Sequence, residues 1–305
     1  MLEIDPNKRL NWNQYFSHRF FKNKFEFRNK INLIYEGVSD EENIFGLTFF
    51  DNNQDNIDLV INGINNELVT KFKLKSGKNN IQIIIKNKLT NLENMFDGCS
   101  HLTNIKELEY LDIRTIKNLS NMFRNCSSIS DIKALEKWNV SNVENFSNLF
   151  YGCTSLSDIK PLAKWNVSKG KKFQSIFYGC SSLSDIKALE KWNVSNGYEF
   201  SYMFHGCKLL SDIKPLEKWN VSEGIGFDGM FYGCSSLSNI KPLENWNISK
   251  GIFFNSMFSY CSSLSDIKSL TKWNFPSRGN FKSMFTFCSP LLDIKPLENF
   301  SIMFS

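Results

Sequence analysis

The stretch of sequence that decides the fold is residues 176–195, which read IFYGCSSLSDIKALEKWNVS. Close copies of this stretch recur along the chain at a fixed interval. Six tryptophans stand 27 residues apart, from Trp138 to Trp273, each twelve residues after a cysteine. The eight cysteines keep the same interval, at Cys99, Cys126, Cys153, Cys180, Cys207, Cys234, Cys261 and Cys288. Such a period is typical of stacked units that bury their apolar faces against one another, so the sequence predicts a repeat solenoid.

Apolar residues occupy the same places in every repeat. Leu or Ile stands three, six and nine residues after each cysteine, and Phe stands three residues before it. This spacing fits neither a long strand nor a long helix, so we expect β-rich coils with short helical turns. The Leu-Ser-Asp-Ile-Lys and Trp-Asn-Val-Ser segments are the expected strand positions. The segment 147–153 (SNLFYGC) predicts one helical or 3₁₀ turn per coil, ending at Gly152 and its equivalents.

Composition limits the class of protein. The chain has 305 residues, of which 42% are hydrophobic and 22% charged, and this is enough for packed domains. A net charge of +5 is too small to indicate a nucleic acid or an anionic membrane as the partner. No apolar stretch approaches the roughly 18 residues that a membrane span needs. Because residues 1–30 lack the pattern of a secretory signal, we expect a cytoplasmic protein, or a cell-surface protein if a signal lies upstream.

The repeat unit has the consensus Met-Phe-x-Gly-Cys-Ser-Ser-Leu-Ser-Asp-Ile-Lys-x-Leu-Glu-x-Trp-Asn-Val-Ser. This unit resembles the BspA-like leucine-rich repeat, and the resemblance covers residues 92–305 as eight full repeats and a truncated ninth. It implies an extended, leucine-rich-repeat-like solenoid that binds protein partners, in a family with many members displayed on cell surfaces. The resemblance brings no catalytic residues and no cofactor. We therefore expect a non-enzymatic protein–protein interaction scaffold, with a cell-surface adhesin as a further alternative.

Residues 23–91 are expected to form a β-rich capping domain. Their apolar runs are 31–35, 44–50, 57–61, 68–74 and 81–85. Asn62-Gly63 and residues 75–78 (KSGK) supply turn signals between these runs. The segment resembles the β-rich region that precedes such repeats in some protist proteins. Since a solenoid needs its first coil covered, we assign the segment that role.

Residues 1–22 are expected to form a separate helical segment. Asp5-Pro6-Asn7-Lys8-Arg9 and His18-Arg19-Phe20-Phe21 resemble the end of a eukaryotic protein kinase domain, where the equivalent of Arg9 forms a structural ion pair. Pro usually stands in that family where this chain has Arg19. The glycine-rich loop, catalytic loop and metal-binding motif of a kinase are absent. An alternative function is therefore the C-terminal regulatory or targeting region of a kinase whose catalytic part is missing from this chain.

The cysteines allow three interpretations. Neighbouring thiols about 4.8 Å apart would point the same way, which does not favour the torsion angle of a disulfide. Zinc is disfavoured because the sequence has no Cys-x-x-Cys pair and its three histidines are off the period. We expect a buried row of reduced thiols and no metal site.

Two polar rows also invite a functional interpretation. Lys stands seven residues after every cysteine. In most repeats an Asp stands two residues before this Lys and a Glu three residues after it. These opposite charges favour a surface that neutralises itself over a binding site for a polyanion. Asn-Val-Ser recurs as a possible glycosylation acceptor. Glycans would be too crowded at this spacing, so we expect these Asn side chains to hydrogen-bond the turn of each coil. The Trp side chains are expected to stack in the core.

Candidate binding residues come from positions that vary between repeats. The position two residues before each cysteine holds an exposed stripe with Arg, Tyr or His in several coils. A second variable segment, of which residues 196–199 and 250–253 are examples, is expected to form an exposed turn. The candidates from both are Arg124, Tyr151, Tyr178, His205, Tyr232, Tyr198 and Phe253. Tyr and Arg are common interface anchors, so we expect these residues to contact a protein partner. Unconstrained drift of exposed loops is the alternative explanation of the variation.

The end of the sequence suggests a possible second contact. Phe300, Met303 and Phe304 match the apolar marks of a ninth repeat that has no cysteine. An uncapped last coil would leave these side chains and a strand edge exposed. We therefore expect weak self-association through the C-terminal coil.

Overall fold

The structure, a computed structural model, describes residues 29–288 and Leu291. They form an N-terminal region of sheets, residues 29–91, followed by stacked coils that repeat every 27 residues. The kinase-like segment 1–22 lies outside the described residues, as do Phe300, Met303 and Phe304. The coils are numbered here by their cysteines, from coil 1 with Cys99 to coil 8 with Cys288.

The N-terminal region is built on antiparallel sheets. Its elements are β1 (Lys30–Gly37), β2 (Glu41–Asn43), α1 (Leu47–Asn53), β3 (Ile57–Ile61), β4 (Ile64–Asn66), β5 (Lys71–Lys73) and β6 (Gly77–Ile85). One sheet has the strand order β4-β3-β6-β1-β7, where β7 (Leu102–Asn104) belongs to coil 1, and β2 pairs with β5. Alternate residues of β1, β3 and β6 are buried, as the apolar runs predict.

The expected strand at 44–50 is wrong, because the chain forms the helix α1 there. Gly46 precedes the helix in an extended conformation, and the Asn53 side chain donates to the Phe49 carbonyl at 3.0 Å. Phe45 and Phe49 pack with ring centroids 5.6 Å apart. Phe49 therefore reaches the core from a short helix. In the sequence, a short apolar run looks the same whether it forms a helix or a strand.

The N-terminal region packs directly on coil 1. Strand β1 pairs with β7, and the Glu36 N–H donates to the His101 carbonyl at 2.9 Å. The Phe45 ring lies 5.9 Å from Phe96, the first ring of the phenylalanine stack of the coils. Residues 29–91 thus occupy the place that a preceding coil would have.

Coils 1–7 each contain a short 3₁₀ helix that begins at the repeated lysine. These helices are Lys106–Tyr110, Lys133–Lys137, Lys160–Lys164, Lys187–Leu189, Lys214–Leu216, Lys241–Leu243 and Lys268–Lys272. The helical turn therefore follows the cysteine, and the expectation that it would end at Gly152 is wrong. In seven coils the Asp or Asn side chain two residues before the lysine accepts the lysine N–H at 2.7–2.9 Å, as Asp185 does for Lys187. This bond sets the turn, so among the described residues the Leu-Ser-Asp-Ile-Lys position is a strand only at β7. No Trp-Asn-Val-Ser segment in the described part of the chain is a strand, so the expected strand positions are wrong apart from β7.

The core consists of stacked rows of equivalent side chains. The Phe residues three before each cysteine are buried and stack from Phe96 to Phe285 with centroids 5.5–6.0 Å apart. Each tryptophan from Trp138 to Trp273 donates its Nε1–H to the Leu carbonyl of the preceding coil at 2.7–3.1 Å. The tryptophans thus pack in the core as expected and also satisfy a carbonyl of the preceding 3₁₀ turn.

The eight cysteines are free and buried, in agreement with the expected row of thiols. From Cys126 to Cys288, each thiol donates to the carbonyl of the Phe in the preceding coil at 3.0–3.2 Å. Burial raises the pKa of every thiol, to about 11 for Cys288 and further for the other seven. The protonated thiol is therefore the stable form in every coil.

Candidate functional site

The candidate site is the ribbon, defined as the nine residues that precede each cysteine, such as residues 144–152 of coil 3. Its backbone N–H groups alternate between two kinds of acceptor. Phe146, Asn148 and Phe150 donate to carbonyls of coil 4, whereas Leu149 and Tyr151 donate to carbonyls of their own coil. The coils are thereby joined by backbone hydrogen bonds along the whole ribbon.

Two positions of each ribbon adopt a left-handed backbone. They lie five residues and one residue before the cysteine, as Asn148 (φ 57°) and Gly152 (φ 71°) do in coil 3. Gly, Asn and Ser fill most of these positions, in keeping with the low cost of positive φ for short side chains. The turn-like residues 147–152 that suggested a helix therefore form two left-handed turns instead.

Tyr151, Tyr178, His205 and Tyr232 form one continuous stack on the ribbon. Successive ring centroids are 4.3, 4.2 and 4.4 Å apart, and the rings are within 11° of parallel. Arg124 continues the row, with its guanidinium 5.4 Å from the Tyr151 centroid and 3.3 Å from the Asp97 carboxylate. The structure therefore brings together five of the seven residues that the sequence analysis singled out.

The electrostatics of this row follow from its partial burial. Burial lowers the pKa of His205, which keeps the imidazole neutral near pH 7. Burial also raises the pKa values of Tyr178 and Tyr232. From Tyr178 to Tyr232 the row is therefore uncharged near pH 7, and each of its side chains is partly exposed.

The other two candidates, Tyr198 and Phe253, lie elsewhere on the ribbon. They stand at its first and second positions, next to the exposed Ile225 and Ile252. Phe253 is exposed and forms backbone bridges to Gly226 and Asn280 in the neighbouring coils. The variable segments thus include a turn, as expected, but each ends in an inter-coil bridge.

The aromatic row continues past Tyr232 by a shift that the sequence analysis missed. Coils 7 and 8 have Ser259 and Thr286 at the stripe position, and the aromatic residues are Tyr260 and Phe287, one residue later. Tyr260 lies 5.0 Å from Tyr232 and 4.5 Å from Phe287. Both adopt positive φ, at 59° and 62°, where earlier coils have Gly or Asn. The signal in the sequence is the loss of the Gly before Cys261 and Cys288.

Exposed apolar side chains are concentrated in the second half of the solenoid. Those described in the coils are Tyr202, Leu209, Ile225, Ile252, Phe253, Tyr260 and Phe287. All belong to coils 5–8 and lie on the ribbon or within three residues of it. Exposed apolar surface that is concentrated in this way typically marks an interaction site.

The edge formed by the 3₁₀ helices is charged and differs in detail from the expectation. Three of the Glu residues pair with a lysine of the next coil: Glu109 with Lys137, Glu136 with Lys164 at 2.8 Å, and Glu244 with Lys272 at 3.1 Å. In the repeated row from Lys106 to Lys268, only Lys160 has a carboxylate within 4.0 Å among the described residues, 3.9 Å away in Asp158. Shallow grooves between coils on this edge are lined by both charge signs. The edge is thus compensated, but through a different lysine row.

The Asn-Val-Ser row has the structural role that was expected of it. In five coils the Asn side-chain oxygen accepts the N–H of the Ser two residues later at 3.1 Å, as Asn193 does for Ser195. Within residues 29–288, no cluster of three or more His, Cys, Asp or Glu could hold a metal ion. In the same part of the chain, no helix is long and apolar enough to cross a membrane.

Comparison with known proteins identifies a family. A family model described as "Mycoplasma protein of unknown function, DUF285" matches residues 90–212 and 183–295. No curated protein and no solved structure matches the chain. The two matched ranges overlap and together contain most of the coils, more than half of the 305 residues. The chain therefore belongs to the family described as Mycoplasma protein of unknown function, DUF285.

Proposed function

We propose that this chain is a non-enzymatic protein–protein interaction scaffold that binds its partner through the ribbon. We also infer that its repeats are the BspA-like leucine-rich repeats that their consensus resembles. The β-rich segment before the coils acts as their cap in this proposal. The scaffold is placed in the cytoplasm, where free thiols persist.

The observation that carries the proposal is the continuity of the aromatic row on the surface. Tyr260 and Phe287 continue the row from positions with positive φ. A side chain larger than Gly costs roughly 1–2 kcal/mol at each of these positions. Gly meets the backbone requirement at the same position in coils 3–6 without this strain. A surface that retains exposed rings despite a backbone cost supports a binding role.

The way in which the rings stack favours a protein as the partner. Inside the row, each ring face is covered by the ring of the next coil, about 4.3 Å away. A sugar or a nucleic-acid base would stack on a free ring face, and the inner rings offer only edges and hydroxyl groups. A row of partly exposed aromatic side chains with phenol hydroxyl groups suits the mixed apolar and hydrogen-bonding surface of a protein.

Site-specific photocrosslinking tests the proposal. A photoreactive residue in place of Tyr178 on the ribbon should give discrete protein adducts in cells that produce the chain. The same residue in place of Lys187, on the 3₁₀ edge of the same coil, is the matched control. Adducts from position 178 should disappear when His205 and Tyr232 are both changed to Ser in a chain that stays folded. Equal adducts from both positions, or adducts that survive the double change, would contradict the proposal.

The non-enzymatic part of the proposal has its own test. Titration calorimetry of the purified chain with Mg-ATP should detect no binding. Nucleotide binding at micromolar concentration would contradict it.

A further inference from the structure

The geometry points to a second copy of this chain as an occupant of the ribbon, in an antiparallel pair with coil 1 opposite coil 8 and coil 4 opposite coil 5. This inference rests on the proposed function, since it names a partner for the same surface. In such a pair the twofold axis lies between coils 4 and 5. It runs parallel to the ribbon backbone of a single coil and perpendicular to the direction in which the coils stack. Each ribbon position then faces the same position of the opposing chain, with the coil order reversed.

Charge complementarity favours this arrangement. In the second position of the ribbon, Lys172 of coil 4 faces Glu199 of coil 5 in the other chain, and this contact occurs twice around the axis. In the fourth position, Glu93 of coil 1 faces Lys282 of coil 8. Neither Lys172 nor Glu199 has an ion-pair partner within 4.0 Å in the described part of the chain. No ribbon position brings like charges together in this register.

The same charges exclude the neighbouring registers. Moving one chain by one coil places the axis on coil 4 or on coil 5. Lys172 would then face Lys172 of the second copy, or Glu199 would face Glu199. Like charges held opposite each other weaken an interface, so the alternation of these two residues selects a single register.

Side-chain size is complementary in the same register. The exposed aromatic residues of coils 5–8 face small residues or Asn in coils 1–4. Phe287 faces Gly98, and Tyr202 faces Ser175. Outside the central row of Tyr and His, the ribbons of the two halves therefore differ in the way that a self-complementary interface requires, with larger exposed side chains in coils 5–8 and smaller ones in coils 1–4.

The area is sufficient for a specific pair. Eight coils spaced about 4.8 Å apart and a ribbon roughly 20 Å wide give roughly 750 Å² per chain, close to the ~800 Å² per partner of a standard interface. The uncharged centre of the aromatic row, from Tyr178 to Tyr232, would lie in the middle of this area. Tyr178 would face His205 there.

Charge reversal with sedimentation velocity on the purified full chain tests the pair. We expect a concentration-dependent dimer in the micromolar range. Lys172→Glu and Glu199→Lys should each weaken the dimer at least tenfold, and the double variant should restore it to within about threefold of the original. Lys187→Glu, on the 3₁₀ edge, is the matched control and should leave the dimer unchanged.

Three outcomes would overturn the inference. They are a monomer at about 100 μM, a dimer that ignores both single reversals, or a double variant that fails to recover. A chain that stays monomeric but gives ribbon-specific adducts with a different protein would overturn the pairing and leave the proposed function standing. A dimer that survives replacement of the ribbon aromatic residues would instead count against the ribbon as the binding surface.

Discussion

The first four and the last four coils have the same interior but different surfaces. Phe150 in coil 3 and Phe231 in coil 6 are both fully buried, and the Trp and Cys hydrogen bonds run through both halves with nearly constant lengths. On the ribbon, coils 1–4 carry the Asp97–Arg124 pair and half-buried tyrosines, whereas coils 5–8 carry every exposed apolar side chain described in the solenoid. The repeated interior thus stabilises both halves in the same way. The differences between the halves that concern binding lie on one surface, the ribbon.

Alkaline pH should have the largest effect, and both halves should contribute to it equally. Burial holds the pKa of seven thiols far above the usual value, so the folded chain keeps protons that the unfolded chain loses above about pH 9. Stability is therefore fully present below pH 9 and falls above it, by about 1.4 kcal/mol per thiol for each pH unit, or roughly 10 kcal/mol by pH 10. Denaturant titrations between pH 8 and 10.5 measure the slope.

Single thiol replacements sharpen this measurement. Cys153→Ala and Cys234→Ala should each remove one proton from the pH dependence. Cys288, whose pKa is raised only to about 11, should be the first thiol to react with a modifying reagent. A slope that depends on one half alone would contradict the equivalence of the two interiors.

Truncating the phenylalanine stack should be the next largest effect. Phe150→Ala and Phe231→Ala each remove a fully buried ring between two others, so each should lower the unfolding free energy by about 3–5 kcal/mol. Urea unfolding followed by tryptophan fluorescence measures both. The half-exposed Tyr151→Ala and Tyr232→Ala are the controls and should cost less than half as much. Costs that differ by more than 2 kcal/mol between the two Phe variants would show that the halves are not equivalent inside.

The sequence was sufficient for this shared interior and insufficient for the local backbone. The 27-residue period and the apolar marks predict which side chains are buried, because burial repeats with the coil. The position of the helical turn was wrong because Gly152, which was expected to end it, lies in a left-handed turn, as does Asn148 within the same segment. The Asp185 carboxylate accepts a hydrogen bond from the Lys187 N–H. The spacing of apolar residues gives no indication of such a local hydrogen bond.

The candidate site was predictable only where it keeps strict register. Tyr151, Tyr178, His205 and Tyr232 share one position, so the sequence reveals the row. Tyr260 and Phe287 continue it from the next position. Both residues have a left-handed backbone. A comparison of the same position in every repeat therefore omits them. Contacts between rings decide the continuity of the row, and these depend on three-dimensional geometry.

Removing the tryptophan hydrogen bond should have a moderate effect in either half. Trp192→Phe and Trp246→Phe keep an aromatic ring but remove the indole donor to the carbonyls of Leu162 and Leu216, each of which still accepts a backbone N–H of its own coil. Each change should cost about 0.5–1.5 kcal/mol, the net contribution of a typical hydrogen bond, since the carbonyl keeps one partner. Urea unfolding of both variants provides the comparison. A loss below 0.5 kcal/mol in both would mean that another donor replaces the indole.

The smallest expected effect separates the two surfaces most directly. Tyr260→Gly relieves the strain of φ 59°, worth roughly 1–2 kcal/mol, but loses ring contacts to Tyr232 and Phe287 worth about 0.5–1.5 kcal/mol. The two terms nearly cancel, so the unfolding free energy should change by less than about 1 kcal/mol.

In coil 3, Gly152→Ala adds backbone strain and gains no ring contact, because φ is 71° and the new Cβ would lie 2.5 Å from the Asn125 Oδ1. It should destabilise by at least about 1 kcal/mol. If Tyr260→Gly is as destabilising as a core truncation, the tyrosine is there for stability, and the binding role of the second half loses its main support.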